Sequence, residues 1–290
     1  TGCIILASEL MSEAGRLLER GLHPLILVKG YQMALSTTID EIEARSVSSN
    51  NLLAEVARTA LVGRSTESAL DHLADLISQA VTTIPDSDYE RVRMAKEGKG
   101  TPSTSRLING LVLEKRLALE RMPRKLEECQ IAVLSCPLEL ESSVVSSEIE
   151  INTPEQYEAF IDAEQKQIDS ITDKAINSGA KAIFSAEGID QRILHSLADA
   201  GIFALGGIEK PMAEDIAKAC GAMLCDHLDY ISSSLGTIES LLHQRLEGAE
   251  GVRERLIIEV GPSAGIVTIL VGATDGVAAE ETIRGLYDSL

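Results

Sequence analysis

Between residues 180 and 225 the chain alternates strand and helix signals with short loops, and this constrains the fold more than any other stretch. Ala182-Ile183-Phe184 reads as a strand, Asp190 to Ala200 as a helix, Gly201 to Leu205 as a strand and Lys210 to Cys220 as a helix. Alternation of this kind needs at least partly parallel pairing and an α/β layer. Gln130 to Leu134 fits the same sheet, being short and apolar as in a strand buried on both faces.

The preceding sequence has another texture. Ile4, Ile5, Leu6, Leu10, Met11, Ala14, Leu17 and Leu18 recur at helical spacing and stop at Gly21. His23-Pro24 then marks a turn whose proline suits the first position of a second helix, running to near Arg45. Asn50 to Leu61 predicts a third helix, broken at Gly63-Arg64-Ser65-Thr66, where Ser65 or Thr66 can cap a fourth. Gly98-Lys99-Gly100-Thr101-Pro102-Ser103 punctuates the chain as a domain boundary does.

Beyond that boundary, Ile108 to Leu113 predicts one strand, and Ser142 to Ile151 alternates apolar with polar residues. Thr153, Pro154 and Gln156 form a helix start with a T-x-x-Q capping box, and the helix continues until Gly179. A last piece restarts near Gly236, with strands at Arg255 to Val260 and Gly265 to Gly272 and a helix from about Asp275 to Leu290.

Composition narrows the function classes. A hydrophobic content of 44% with 24% charged residues is globular. Three Phe, five Tyr and no Trp leave a core of Ala, Leu, Ile and Val. A net charge of −19 argues against nucleic acid and anionic membranes as partners. Of the 26 basic residues 16 are Arg, and an Arg-biased acidic surface also fits adaptation to high salt. Cys3, Cys129, Cys136, Cys220 and Cys225 include no C-x-x-C pair; Cys220, Cys225 and His227 are close enough in sequence to weigh zinc, against buried free thiols. No metal site is predicted. The chain opens at Thr1 directly into an apolar run and closes at Leu290 within a helical pattern, so it reads as cut at both ends.

Several segments, in order and spacing, resemble group II chaperonin subunits of the archaeal thermosome/CCT (TCP-1) type. Gly21-Leu22-His23-Pro24-Leu25-Ile26-Leu27-Val28-Lys29-Gly30-Tyr31 is similar to that family's I-H-P-T-x-I-I-x-G-Y turn. Asn109-Gly110-Leu111-Val112-Leu113-Glu114-Lys115 with Met122-Pro123 resembles the start of its apical domain, and Ile131-Ala132-Val133-Leu134 with Cys136-Pro137-Leu138-Glu139 its first core strand and exit turn. Gly188-Ile189-Asp190, Thr268-Ile269-Leu270-Val271 and Gly285-Leu286-Tyr287-Asp288 continue the likeness.

The resemblance implies a multi-domain α/β fold: a helical equatorial fragment at 1–50, a mixed α/β intermediate domain at 51–106 and 237–290, and an α/β apical domain with a helical protrusion at 107–236. It implies a cytoplasmic chaperone, its partners unfolded or non-native proteins and other subunits of a double ring, with ATP and Mg²⁺ as cofactors of the complete subunit. Asp288 matches the family's L-H-D-A aspartate, which orients the attacking water; its neighbours here are Tyr287 and Ser289. Thr1 falls within the family's G-D-G-T-T phosphate segment, and Arg64 stands where many members carry a γ-phosphate-sensing Lys. The Gly-rich phosphate loop has no counterpart in this sequence, so this chain alone is expected to lack a complete ATP site. Val144, Val145, Ile149, Ile151, Phe160 and Ile161 are the expected client-binding and lid residues, with Tyr157 and Phe160 expected to pack onto the protrusion's own stem.

Two other readings compete: an apical and intermediate module that holds clients without ATP, and a small-molecule enzyme on the α/β layer. The five histidines form no catalytic pattern, and the sequence holds no nucleophile elbow, G-x-G-x-x-G or G-K-[ST]. The N-terminal helices present apolar faces such as Ile4, Ile5 and Leu6, so the isolated chain is expected to aggregate.

Overall fold

A computed structural model of the chain describes residues 2–48, 52–63, 69–85, 88–140, 153–248 and 251–290. They fall into two compact units, Thr1–Leu52 and Leu53–Leu290.

The first unit is two helices, α1 (Gly2–Glu19) and α2 (Pro24–Arg45). Gly21, at φ +90°, ends α1 while the Leu22 N–H bonds back to the Leu17 carbonyl. His23 caps α2 by accepting from the Leu25 N–H, and Pro24 takes the first helical position. The Tyr31 hydroxyl donates to the Leu10 carbonyl at 2.6 Å, tying the helices together. No residue of either helix is buried.

The second unit holds two sheets. Helices α3 (Leu53–Leu61) and α4 (Leu70–Thr83) pack, with α8 (Gly276–Tyr287), on a three-stranded sheet ordered β1 (Val92–Lys96), β10 (Val267–Val271) and β2 (Arg106–Ile108). β1 runs parallel to β10 and β2 antiparallel to it. Leu61, Leu73, Ile77, Val267, Ile269 and Leu286 form their common core.

The larger sheet is ordered β3 (Gly110–Leu113), β9 (Gly251–Glu259), β8 (Gly236–Gly248), β4 (Lys125–Leu134), β5 (Ala182–Ser185) and β6 (Phe203–Leu205). A two-residue strand, β7 (Leu224–Cys225), pairs with the far end of β4. Pairing is antiparallel from β3 to β4 and parallel from β4 to β6. Ile131 and Val133 join one core with Phe184, Phe203 and α7 (Lys210–Cys220). Ala132 and Leu134 face the other way, into a core shared with α5 (Pro154–Asn177) and α6 (Gln191–Asp199). Burial on both faces accounts for the unbroken apolar runs.

Among the departures from the sequence reading, three concern elements of the fold. Ile108–Leu113 is two strands in different sheets, because the chain crosses over at Asn109-Gly110: a Cβ on Gly110 would lie 2.0 Å from the Ile258 carbonyl oxygen. A long strand spans Gly236–Gly248, where the sequence shows no steady alternation. Burial moves from Gly236 and Ile238 to Leu241 and His243, so its alternation slips phase opposite Glu128, whose φ of +42° distorts β4. His243 thus sits in a strand, its Nε2 3.1 Å from Glu254 Oε2. The third concerns α4. Its N-cap is Ala69, with no side-chain hydrogen bond; Ser65 and Thr66, read as caps, lie outside the described residues.

Candidate functional site

α5 starts where the side chain of Thr153 accepts from the Gln156 N–H at 3.3 Å, and Pro154 fills the first turn. At 24 residues it is roughly 36 Å long. Its C-terminal half is anchored: Ile168, Thr172 and Ala175 are buried, and Lys174 pairs with Asp229 at 2.7 Å. That hydrogen bond holds the Asp229 carboxyl below its ordinary range.

The N-terminal half carries the same apolar stripe, here exposed. Tyr157, Phe160 and Ile161, at i, i+3 and i+4, share a face and are 56%, 38% and 44% exposed. The expectation that Tyr157 and Phe160 pack down onto the stem is therefore not met. Among the described residues the buried positions of α5 lie in its C-terminal half, and these two residues lie beyond them. Val144, Val145, Ile149 and Ile151, the other residues expected at this surface, lie outside the described residues.

On the three-stranded sheet, Asp288 follows the last turn of α8, its backbone N–H bonded to the Arg284 and Leu286 carbonyls. Its side chain and that of Tyr287 are exposed, while Leu286 is buried beside Leu61 in one core. Leu61 precedes Gly63, which ends the α3 segment with φ +78°. Arg64 and Thr1 lie outside the described residues. Among the described residues no group of three His, Cys, Asp or Glu side chains is placed to hold a metal ion.

The cysteine cluster separates in three dimensions. Cys220 belongs to the core on one face of the large sheet and Cys225 to the core on the other. Burial pushes the Cys220 thiol up to about 12, so it stays protonated at neutral pH and is no nucleophile. Cys225 Sγ donates to the His227 carbonyl at 2.9 Å.

One polar group escaped the sequence reading. Arg255, in the apolar run of β9, is buried with its guanidinium on Glu97 and Gln244. Its only sequence signal is a cation opening a strand of Leu, Ile and Val, which names no partner.

The TCP-1/cpn60 chaperonin family matches this chain over residues 1–290. The thermosome subunit alpha of Archaeoglobus fulgidus is 32% identical over 302 aligned positions, which take in 100% of this chain and 55% of that protein. The thermosome subunit beta of Methanothermobacter thermautotrophicus is also 32% identical, over 298 positions, with 100% and 54% covered. The chain thus spans about half the length of the curated relatives it matches. An open-state monomer of a group II chaperonin from Methanococcoides burtonii shares the fold at a TM-score of 0.66 and 24% identity, over 99% of this chain and 67% of that one.

Proposed function

Since this chain belongs to the TCP-1/cpn60 chaperonin family, we propose that it supplies the client-binding part of a chaperonin subunit, capturing non-native proteins on exposed apolar surface. The observation that carries this reading is the N-terminal face of α5, where Tyr157, Phe160 and Ile161 are exposed while, among the described residues, the helix is anchored through its C-terminal half. In the complete subunit, capture would be coupled to ATP hydrolysis within a double ring of such subunits in the cytoplasm of an archaeal-type cell.

In this assignment α1 and α2 belong to the equatorial domain. Residues 53–109 and 261–290 form the intermediate domain, and 110–260 the apical domain, with α5 as the stem of its protrusion. Placing the last boundary near Val260 instead of 236 follows sheet membership, because β8 and β9 pair into the sheet of β4. Asp288 would orient the attacking water, with Thr1 and Arg64 on the phosphates and Mg²⁺ held by segments beyond those described. Each is a carry-over from the resemblance.

A second reading is a holder that works without nucleotide, since the exposed face of Tyr157, Phe160 and Ile161 needs none to meet an apolar client. The test is light scattering of a chemically denatured reporter protein diluted into the purified chain. Suppression of aggregation without nucleotide is expected, and Phe160→Ser/Ile161→Ser should weaken it several-fold while leaving the melting transition in place. Suppression unchanged by the double variant would move the client site elsewhere, and none at all would remove the client-binding reading. Adding ATP with Mg²⁺ to the complete subunit separates the two versions: release of reporter by wild type but not by Asp288→Ala supports coupling, and no release by either supports the holder.

A further inference from the structure

We propose that Glu97 and Arg255 form a latch that fixes the β8–β9 hairpin against the three-stranded sheet, across a hinge made by two adjacent chain crossings. Among the described residues the chain passes between its two sheets twice, at Asn109-Gly110 and after Val260-Gly261. The crossings lie side by side, since the Asn109 carbonyl accepts from the Val260 N–H at 2.8 Å and the Gly261 N–H at 3.4 Å. Gly110 and Gly261 both have positive φ, +153° and +93°, which side-chain-bearing residues rarely adopt. A two-strand connection of this kind resists translation but permits rotation.

Beside the hinge, the Thr268 hydroxyl of β10 donates to the Gly110 carbonyl at 2.7 Å and the Gly265 N–H to the Ala219 carbonyl of α7 at 3.3 Å. Ile108, Ile257 and Leu270 make a small apolar seam. Two ion pairs reach out from β1 and the residue after it. Arg93 meets Asp215 of α7 at 2.6 Å, with Arg93 half-exposed. Glu97 meets Arg255, whose side chain is only 4% exposed.

The second pair differs from an ordinary surface bridge. Arg255 Nη1 donates to Glu97 Oε2 and Nη2 to Oε1, both at 3.1 Å, a two-pronged fork. Nε and Nη2 also donate to Gln244 Oε1 at 2.9 and 2.7 Å, and Nη1 reaches the Glu97 carbonyl at 3.4 Å. The cation is thus fully engaged, and most of what engages it comes from the other sheet. Arg255 is four residues from Glu259, which pairs with Gly110 at the hinge, so the latch acts at a lever arm of roughly 13 Å.

This geometry makes opening all-or-none. A small rotation would withdraw Glu97 and leave a buried guanidinium with Gln244 alone, which costs more than a full opening that lets water reach it. Glu97 has an alternative partner in Arg106, 3.7 Å away and half-exposed, so the penalty falls on Arg255. The two sheets therefore have one closed arrangement and resist intermediate ones. The inference concerns movement within the chain and stands whether or not the chain binds clients.

Hydrogen exchange read by mass spectrometry on the whole chain tests it. Arg255→Met is expected to raise exchange about tenfold or more in peptides covering 97–105 and 244–254, with those covering 131–134 and 182–185 unchanged. Arg255→Lys keeps the charge but not the fork, and should give a smaller rise in the same two places. If Arg255→Met does not fold, Arg255→Lys alone decides. Wild-type exchange at 97–105 and 244–254, or an equal rise in all four peptides, would overturn the latch.

Discussion

Residues 2–48 and 53–290 are built from similar helices that reach opposite physical states. α1 carries Ile4, Ile5, Leu6, Leu10 and Met11, all exposed, and neither it nor α2 buries a single residue. α4, with a comparable apolar content, buries Leu73, Ala74, Leu76, Ile77 and Ala80 against a sheet. An amphipathic pattern thus says that a helix has a face to hide, and not that anything hides it. The same division recurs within α5, where one apolar stripe is core at Ile168 and surface at Ile161.

The contrast can be broken or sharpened by substitution. The largest effect is expected in the second unit. Phe184→Ala, which empties a fully buried ring that meets Phe203 at 5.7 Å, should cost about 3–5 kcal/mol in a denaturant titration. A loss below about 1 kcal/mol would mean that this core is not formed in solution.

Next comes the comparison inside α5. Ile168→Ala should cost about 2–4 kcal/mol, whereas Ile161→Ala should cost no more than about 0.5 kcal/mol in the same titration. Equal losses would show that the N-terminal half is covered after all.

A smaller effect, of about 1 kcal/mol, is expected for Asp190→Ala. Asp190 caps α6 by accepting from the Arg192 N–H at 2.8 Å and also binds the Arg192 side chain. That side-chain bond, more than any other influence, lowers the carboxyl below its ordinary 3.8. A depressed folded value stabilises the fold fully above pH 3.8, and this contribution is lost as pH falls through the folded value. Asp190→Ala should therefore flatten the wild-type acid limb below pH 3.8; an unchanged limb would remove Asp190 from it.

The smallest expected effect is in the first unit. Leu10→Ala and Ile26→Ala should shift stability by no more than about 0.5 kcal/mol, since both side chains are already in water. A loss of several kcal/mol would mean that these faces find a partner in solution, and sedimentation would show whether it is another copy of the chain.

Much of the site was readable beforehand where the chemistry is local. Thr153, Pro154 and Gly179 delimit α5 without reference to anything distant. His23-Pro24 and Asp190 start their helices in the same way. Where the cause is remote, the reading failed. The exposure of Tyr157 and Phe160 depends on how far along α5 the packing extends. β8 was lost because its burial phase is reset by Glu128 on a partner more than a hundred residues earlier.

By itself the sequence determined most of the helices and their local caps, the two-faced apolar strands and the resemblance to chaperonins, because each is set by neighbours a few bonds away or by residue order. Only the tertiary structure decided that Ile108 and Leu111 serve different sheets, that β8 and β9 join β4, that Cys220 and Cys225 face opposite cores, and that Arg255 meets Glu97. These are pairings between distant segments, and what selects them is the burial and hydrogen bonding available once the chain has closed on itself.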